Sequence, residues 1–215
     1  QIPGGAEHGQ VPEFYLVPKK LARKAPVLAR MVQTVEAWAF RFIFWLIQTL
    51  SLENALRLGG FTFALTGPHS DKAKKAHTNL AIAFPDRDEQ WRKNTVKKIF
   101  RHLGYSTVEL IKLEQIWAQR EQRVEYVLEP AARAHMESKR ATIFITAHVG
   151  PWQVAPLVTK EYGFTINTIY APESNPTLQA LMLDLRKVFG EKLIPADSGP
   201  RPIIRELNAG NSIIM

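Results

Sequence analysis

The stretch ATIFITAHVGPWQV, Ala141 to Val154, decides the fold. Its first half, Thr142 to Ala147, is apolar and β-branched, the composition of a buried strand. The run stops at His148. Gly150 and Pro151 then make a tight turn, and a new apolar pattern with proline in its first turn predicts a helix from Trp152. In open α/β sheets, ligands gather beyond the carboxyl ends of strands. His148 therefore stands where such a fold places chemistry, beside a helix N-terminus whose amides can receive developing negative charge. Taken alone, a histidine after a strand is also what an ordinary loop contains.

Working outward, the same alternation continues. A strand over Thr165–Ala171 leads to a helix that Asn175 caps and Pro176 opens, with Leu178, Leu181, Met182, Leu185 and Phe189 as its buried face and Gly190 as its stop. A strand at Lys192–Pro195, a helix at Pro202–Asn208 and a strand at Ser212–Met215 follow. Strands alternating with helices at this spacing predict βαβ units and a mostly parallel sheet, an α/β fold. Before it, from Leu52, the pattern reads as helix, loop, helix. Asp86 with Glu89 forms a box-like helix start, and a second helical stretch covers Thr107–Gln122. The sequence stops inside an apolar strand, so further strands and helices are expected beyond Met215.

The N-terminal part is of another kind. Residues 1–30 form a basic leader, with Lys19, Lys20, Arg23, Lys24 and Arg30 uninterrupted by acid. Residues 31–52 are expected to be a membrane-anchoring helix. Its apolar core, AWAFRFIFWLIQTLSL (Ala37–Leu52), carries Arg41 as its only charge. As a helix it reaches about 24 Å, short of the roughly 30 Å of a full span. Thr34, Arg41 and Gln48 align at spacing seven and leave a wide aromatic face, which predicts an interfacial helix or a short, snorkelling span. The basic cluster before it suits an anionic, cytoplasmic leaflet. The segment lacks the small-residue cleavage site of a signal peptide. A buried core helix is the competing reading.

Composition narrows the function. A chain of 215 residues can bury a real core. It has no cysteine, so thiolate chemistry is excluded. Its net charge of +8 favours anionic partners. No helix-turn-helix, RNP or zinc-finger pattern is present, so nucleic acid is not expected. The six histidines lack metal-ligand spacing, so neither a metal nor a cofactor is expected.

HVGPWQ resembles the H-x-G-N-W-E/D signature of the lysophospholipid acyltransferase superfamily, and most nearly that of the lipid A lauroyl/myristoyl acyltransferases. The likeness extends to other segments in the same order. KKAHTNLAIAFPDRDEQW (Lys74–Trp91) is similar to the family's NL-x-x-x-FP stretch, and LGYSTVELIKL (Leu103–Leu113) to its next helix, with Glu109 in the usual acidic place. IYAPESNPTLQALMLDLRKVFG (Ile169–Gly190) resembles its Y-R-P-x-x-NP segment and Arg-containing helix. The resemblance implies a glycerolipid-acyltransferase-like domain over residues 53–215, and acyl transfer from acyl carrier protein or acyl-CoA to a glycolipid. It would act at an anionic membrane, on the cytoplasmic face of the inner membrane. It implies His148 as general base with the residue at 153 as its partner, and Gly150, Trp152, Asn175 and Arg186 as substrate-binding residues. Three positions depart from the family pattern: Pro151 for Asn, Gln153 for an acid, and Ala171 for an arginine. Gln153 can accept a hydrogen bond but supplies no charge. The alternatives are therefore an acyltransferase on another membrane lipid, or a catalytically silent, membrane-binding relative.

Overall fold

A computed structural model describes residues 25–171, 176–189 and 192–215. The basic leader up to Lys24, the Asn175 cap and the Gly190 stop lie outside the described residues. Helix α1 spans Pro26–Thr49. Its end is set by Leu50, whose extended backbone turns the chain into Ser51. Ser51 caps helix α2, Leu52–Thr66, by accepting the Asn54 N–H. The expected helix over 31–52 is thus displaced toward the N-terminus, because Ser51 belongs to the next helix.

Helix α3 (Asp71–Ala83) and helix α4 (Glu89–Ile111) form an antiparallel hairpin. The α4 cap is Asp88, which accepts the Trp91 N–H at 2.6 Å, rather than the predicted Asp86. The helical stretch predicted over Thr107–Gln122 starts inside α4, which runs unbroken through Gly104 to Ile111, and continues as two short helices over Leu113–Ala118 and Arg120–Arg123. A glycine is needed at 104 because the α2 backbone lies against it. A Cβ at Gly59, on the facing helix, would stand 2.6 Å from Val108 Cγ2 and 3.0 Å from the Gly104 carbonyl oxygen. Short helices α5 (Leu113–Ala118), α6 (Arg120–Arg123) and α7 (Pro130–Ser138) lead to the sheet.

Strands β1 (Ile143–Phe144), β2 (Ile166–Tyr170), β3 (Lys192–Pro195) and β4 (Ser212–Ile214) pair in the order β1-β4-β2-β3, parallel throughout. The predicted parallel α/β sheet is present, attached to a largely helical N-terminal half. Between strands lie α8 (Leu157–Glu161), α9 (Pro176–Arg186) and α10 (Pro200–Asn208). One apolar core joins the halves: Ile47 of α1, Ala55 of α2 and Val108 of α4 share it with Leu157 and Val188.

A buried polar knot secures the far side of the sheet. Glu206 of α10 accepts hydrogen bonds from Asn211 Nδ2 (2.8 Å), Asn167 Nδ2 (3.1 Å) and Lys192 Nζ (3.1 Å). It thereby ties β2, β3 and the approach to β4 to one carboxylate. Those donors, the Asn211 amide first and the Lys192 ammonium next, hold its pKa below the usual value.

Helix α1 divides its apolar residues between two faces. Ile47 is buried and Phe44 packs on the core. Leu28, Met31, Val35, Trp38, Phe42 and Trp45 are exposed, and their alternating three- and four-residue spacing makes one continuous stripe. No helix among the described residues is long and apolar enough to cross a membrane.

Candidate active site

The site begins where β1 leaves the sheet. Thr146 still donates to the Met215 carbonyl oxygen, so the chain stays in the ladder to that point. Ala147 and Val149 then close a tight turn through a 2.8 Å hydrogen bond. Gly150 follows with φ +58°, a left-handed conformation that glycine adopts without cost. Nothing lies within 4 Å of where its Cβ would be, so conformation and not space requires the glycine. Its carbonyl accepts the Ser106 hydroxyl at 3.2 Å, and so α4 props the turn from below.

The helix expected from Trp152 starts only at Leu157. Residues 152–156 form turns, with Val154 donating to Pro151 and Leu157 donating to Val154. Pro156 is the reason: it has no N–H to donate and disfavours helical backbone at Ala155. The amides of Gly150, Trp152 and Gln153 have no acceptor among the described residues. Pro151 supplies none. The turn therefore offers a short row of unused donors beside His148, the elements of an oxyanion site.

His148 is exposed, and its ring lies against Trp152 with centroids 5.1 Å apart. Gln153 is half-buried one residue further on. Among the described residues, neither side chain makes a hydrogen bond, and none joins them. Arg186 stands at the end of α9 with its guanidinium 5.9 Å from the Tyr170 ring. Register relates that pair to the turn. Phe144 is level with Ile214, and Ile214 with Thr168, so Thr146 and Tyr170 leave the same edge of the sheet two strands apart. At the usual strand spacing that is about 10 Å. His148, Gly150, Trp152 and Gln153 thus share one turn, and Arg186 shares their edge.

A cavity of about 330 Å³ opens under the turn, with Val149, Pro151 and Val154 on one wall and the segment Val124–Leu128 on the other. The lining is mostly apolar. The Tyr126 hydroxyl is buried without a hydrogen-bond partner among the described residues, and burial raises its pKa. Glu109, one turn along α4 from Ser106, has a buried Oε2 with no hydrogen bond among the described residues, and burial raises its pKa too. Sequence reading missed Ser106, Tyr126 and the extended wall at 124–128. Their neighbours are distant in sequence, and no local pattern marks them.

A sequence model of the bacterial lipid A biosynthesis acyltransferases matches residues 23–215. The chain belongs to this family. A lipid A biosynthesis acyltransferase of Haemophilus influenzae is 26% identical over 149 residues, which cover 65% of this chain and 45% of the relative. The chain thus spans about half the length of the curated relative it matches. Within this acyltransferase family, the HVGPWQ turn lies inside the matched region.

Proposed function

We propose that the protein transfers a fatty acyl chain from a thioester donor, acyl carrier protein or acyl-CoA, to a hydroxyl of a lipid A precursor or related glycolipid. The observation that carries this reading is the turn itself. A solvent-reachable histidine, a row of unused amides and the wall of an apolar cavity all come from residues 148–154.

The hydroxyl oxygen attacks the thioester carbonyl carbon. His148 takes the hydroxyl proton as the C–O bond forms, a task suited to imidazole near neutral pH. The amides of Gly150, Trp152 and Gln153 receive the charge on the tetrahedral oxygen. The C–S bond then breaks, and His148 returns the proton to the thiolate. The cavity under Val149 and Pro151 takes the hydrocarbon chain, since its apolar lining removes that chain from water. Arg186 meets a phosphate of donor or acceptor at the sheet edge.

The exposed stripe of α1 supports a place at the cytoplasmic face of the inner membrane. An apolar patch of that length marks an interaction surface. The stripe runs along one face of α1 while Ile47 and Phe44 pack on the core, so α1 lies in the interface. The basic leader before it adds attraction to anionic lipid.

One observation favours the silent-relative alternative: among the described residues His148 has no acidic partner, and the amide at 153 makes no bond to it. Mass spectrometry of membrane glycolipids, from cells with and without the full-length protein, decides between the readings. Acyl transfer predicts a glycolipid heavier by one fatty acyl group when the protein is present. Identical lipid profiles contradict it.

A further inference from the structure

The hydroxyl of Ser106 makes its hydrogen bond outside its own helix. Inside a helix, serine and threonine commonly bond back to a carbonyl of the preceding turn. Thr34, Thr66, Thr78 and Thr107 do so here, each to the carbonyl four residues before. Ser106, next to Thr107, reaches instead to the Gly150 carbonyl at 3.2 Å, 44 residues further along the chain. Ser106 is 3% exposed, whereas His148, Val149, Gly150 and Pro151 are all exposed. A buried hydroxyl is thus aimed from a helix at an open turn. The helix is well anchored at that point. α4 lies backbone to backbone against α2 at Gly104 and Gly59. Ser106 stands about 200° round the helix from Gly104, so α2 fixes one side of α4 and the turn rests on the other.

The turn needs such a hold. Gly150 is left-handed at φ +58°, and no atom lies within 4 Å of its Cβ position to pack it in place. Glycine reaches other backbone conformations about as readily. Among the described residues the Gly150 carbonyl accepts no other hydrogen bond. The chain beyond it is already constrained. The ring of Pro151 fixes φ, and the Pro151 carbonyl accepts the Val154 N–H at 2.8 Å. Once the Gly150 carbonyl is fixed, these restraints also set the peptide that carries the Trp152 N–H. Pro151 removes one amide donor and stiffens the path to the next.

We infer that Ser106 is a positioning residue for acyl transfer: through the Gly150 carbonyl it keeps the amides of Gly150, Trp152 and Gln153 aimed at the tetrahedral oxygen. The inference rests on the acyl-transfer reading above. Donors that are already aimed need no reorganisation as charge develops. Without the hydroxyl, His148, the amides and the cavity all remain, but Gly150 is free to turn its peptide planes. The loss falls on the chemical step and not on donor binding.

The test uses the full-length protein, Ser106→Ala and Ser106→Cys, whose thiol fills the site but is a weak donor; circular dichroism confirms that each folds. Transfer to a purified glycolipid is measured from acyl-CoA and from a carrier-bound acyl thioester. The order parameter of the Gly150 amide is measured by ¹⁵N relaxation after glycine-selective labelling, in detergent micelles without substrate. Both substitutions are expected to lower kcat by about tenfold or more and to leave the KM for the donor unchanged. Both also lower the Gly150 order parameter from about 0.85 to below about 0.6. Loss of order at Gly150 in both variants, when the unaltered protein transfers no acyl group, upholds the hold of Ser106 on the turn and sinks the acyl-transfer reading alone. An unchanged order parameter overturns the inference, as does an unchanged kcat or a loss confined to KM. Losses in Ser106→Ala that Ser106→Cys does not share assign the effect to filled volume and overturn it too.

Discussion

In the proposed mechanism, Gln153 takes the position from which an acid would hold His148 in one tautomer and stabilise its imidazolium. Losing the orienting acid of a serine protease triad costs about 10⁴ in turnover, so the amide predicts a slow catalyst. Gln153→Glu is expected to raise turnover, once the exposed imidazole swings from Trp152 to meet the carboxylate. It also raises the pKa of the histidine, because a nearby anion favours the protonated form. The base is active when deprotonated, so the acid limb of the pH–rate profile moves to higher pH. Rates across pH read both effects; an unchanged rate and profile mean that residue 153 does not act on His148. The turn was legible in sequence as far as Gly150 and Pro151, whose backbone demands are local. The Ser106 support and the Tyr126 wall were not, because tertiary packing brings them there.

Helix α4 is held against α2 by missing side chains as much as by present ones. A Cβ on Gly104 would run into the Gly59 carbonyl, so the two backbones must separate. Gly104→Ala gains up to about 1 kcal/mol of helix propensity, but overpacking costs about 1–3 kcal/mol. The net expectation is a melting temperature lower by a few degrees, as calorimetry measures; a rise would show that the crossing has slack. The Glu206 knot predicts an acid response. Its folded pKa lies below the reference value of 4.5. Its contribution is complete above that value and fades as pH falls through the folded one. Glu206→Gln should therefore melt lower at neutral pH and show a flatter decline in acid, with Tm against pH as the readout. A parallel decline in both would remove the knot from the account. Strands β2, β3 and β4 were readable because β-branched runs between turn signals carry their own period. The helix after the motif was misread because Pro151 signals a start, while Pro156 delays the first regular turn.

Charge and apolar surface are laid out on separate parts of the protein. The exposed stripe of α1 should hold it on anionic bilayers, with each basic side chain of the leader adding about 1 kcal/mol. Trp38→Ser/Phe42→Ser/Trp45→Ser should release it from vesicles that salt alone does not clear, since screening leaves apolar burial intact. Retention of that variant in a flotation assay would assign the stripe to another partner. The sequence showed that α1 was too aromatic to be an ordinary surface helix, but not which side faced the core. That is set by Ile47 and Phe44, which pack on the core that α2 and α4 share. The central claim is that the HVGPWQ turn carries out acyl transfer, and it is tested most directly by labelled acyl transfer from a carrier-bound thioester to a purified glycolipid. The full-length protein is compared with His148→Ala, a change at an exposed turn that leaves the core untouched. The account predicts a loss of about 10² or more in rate, with an unaltered melting temperature. Near-normal transfer by the variant would contradict it.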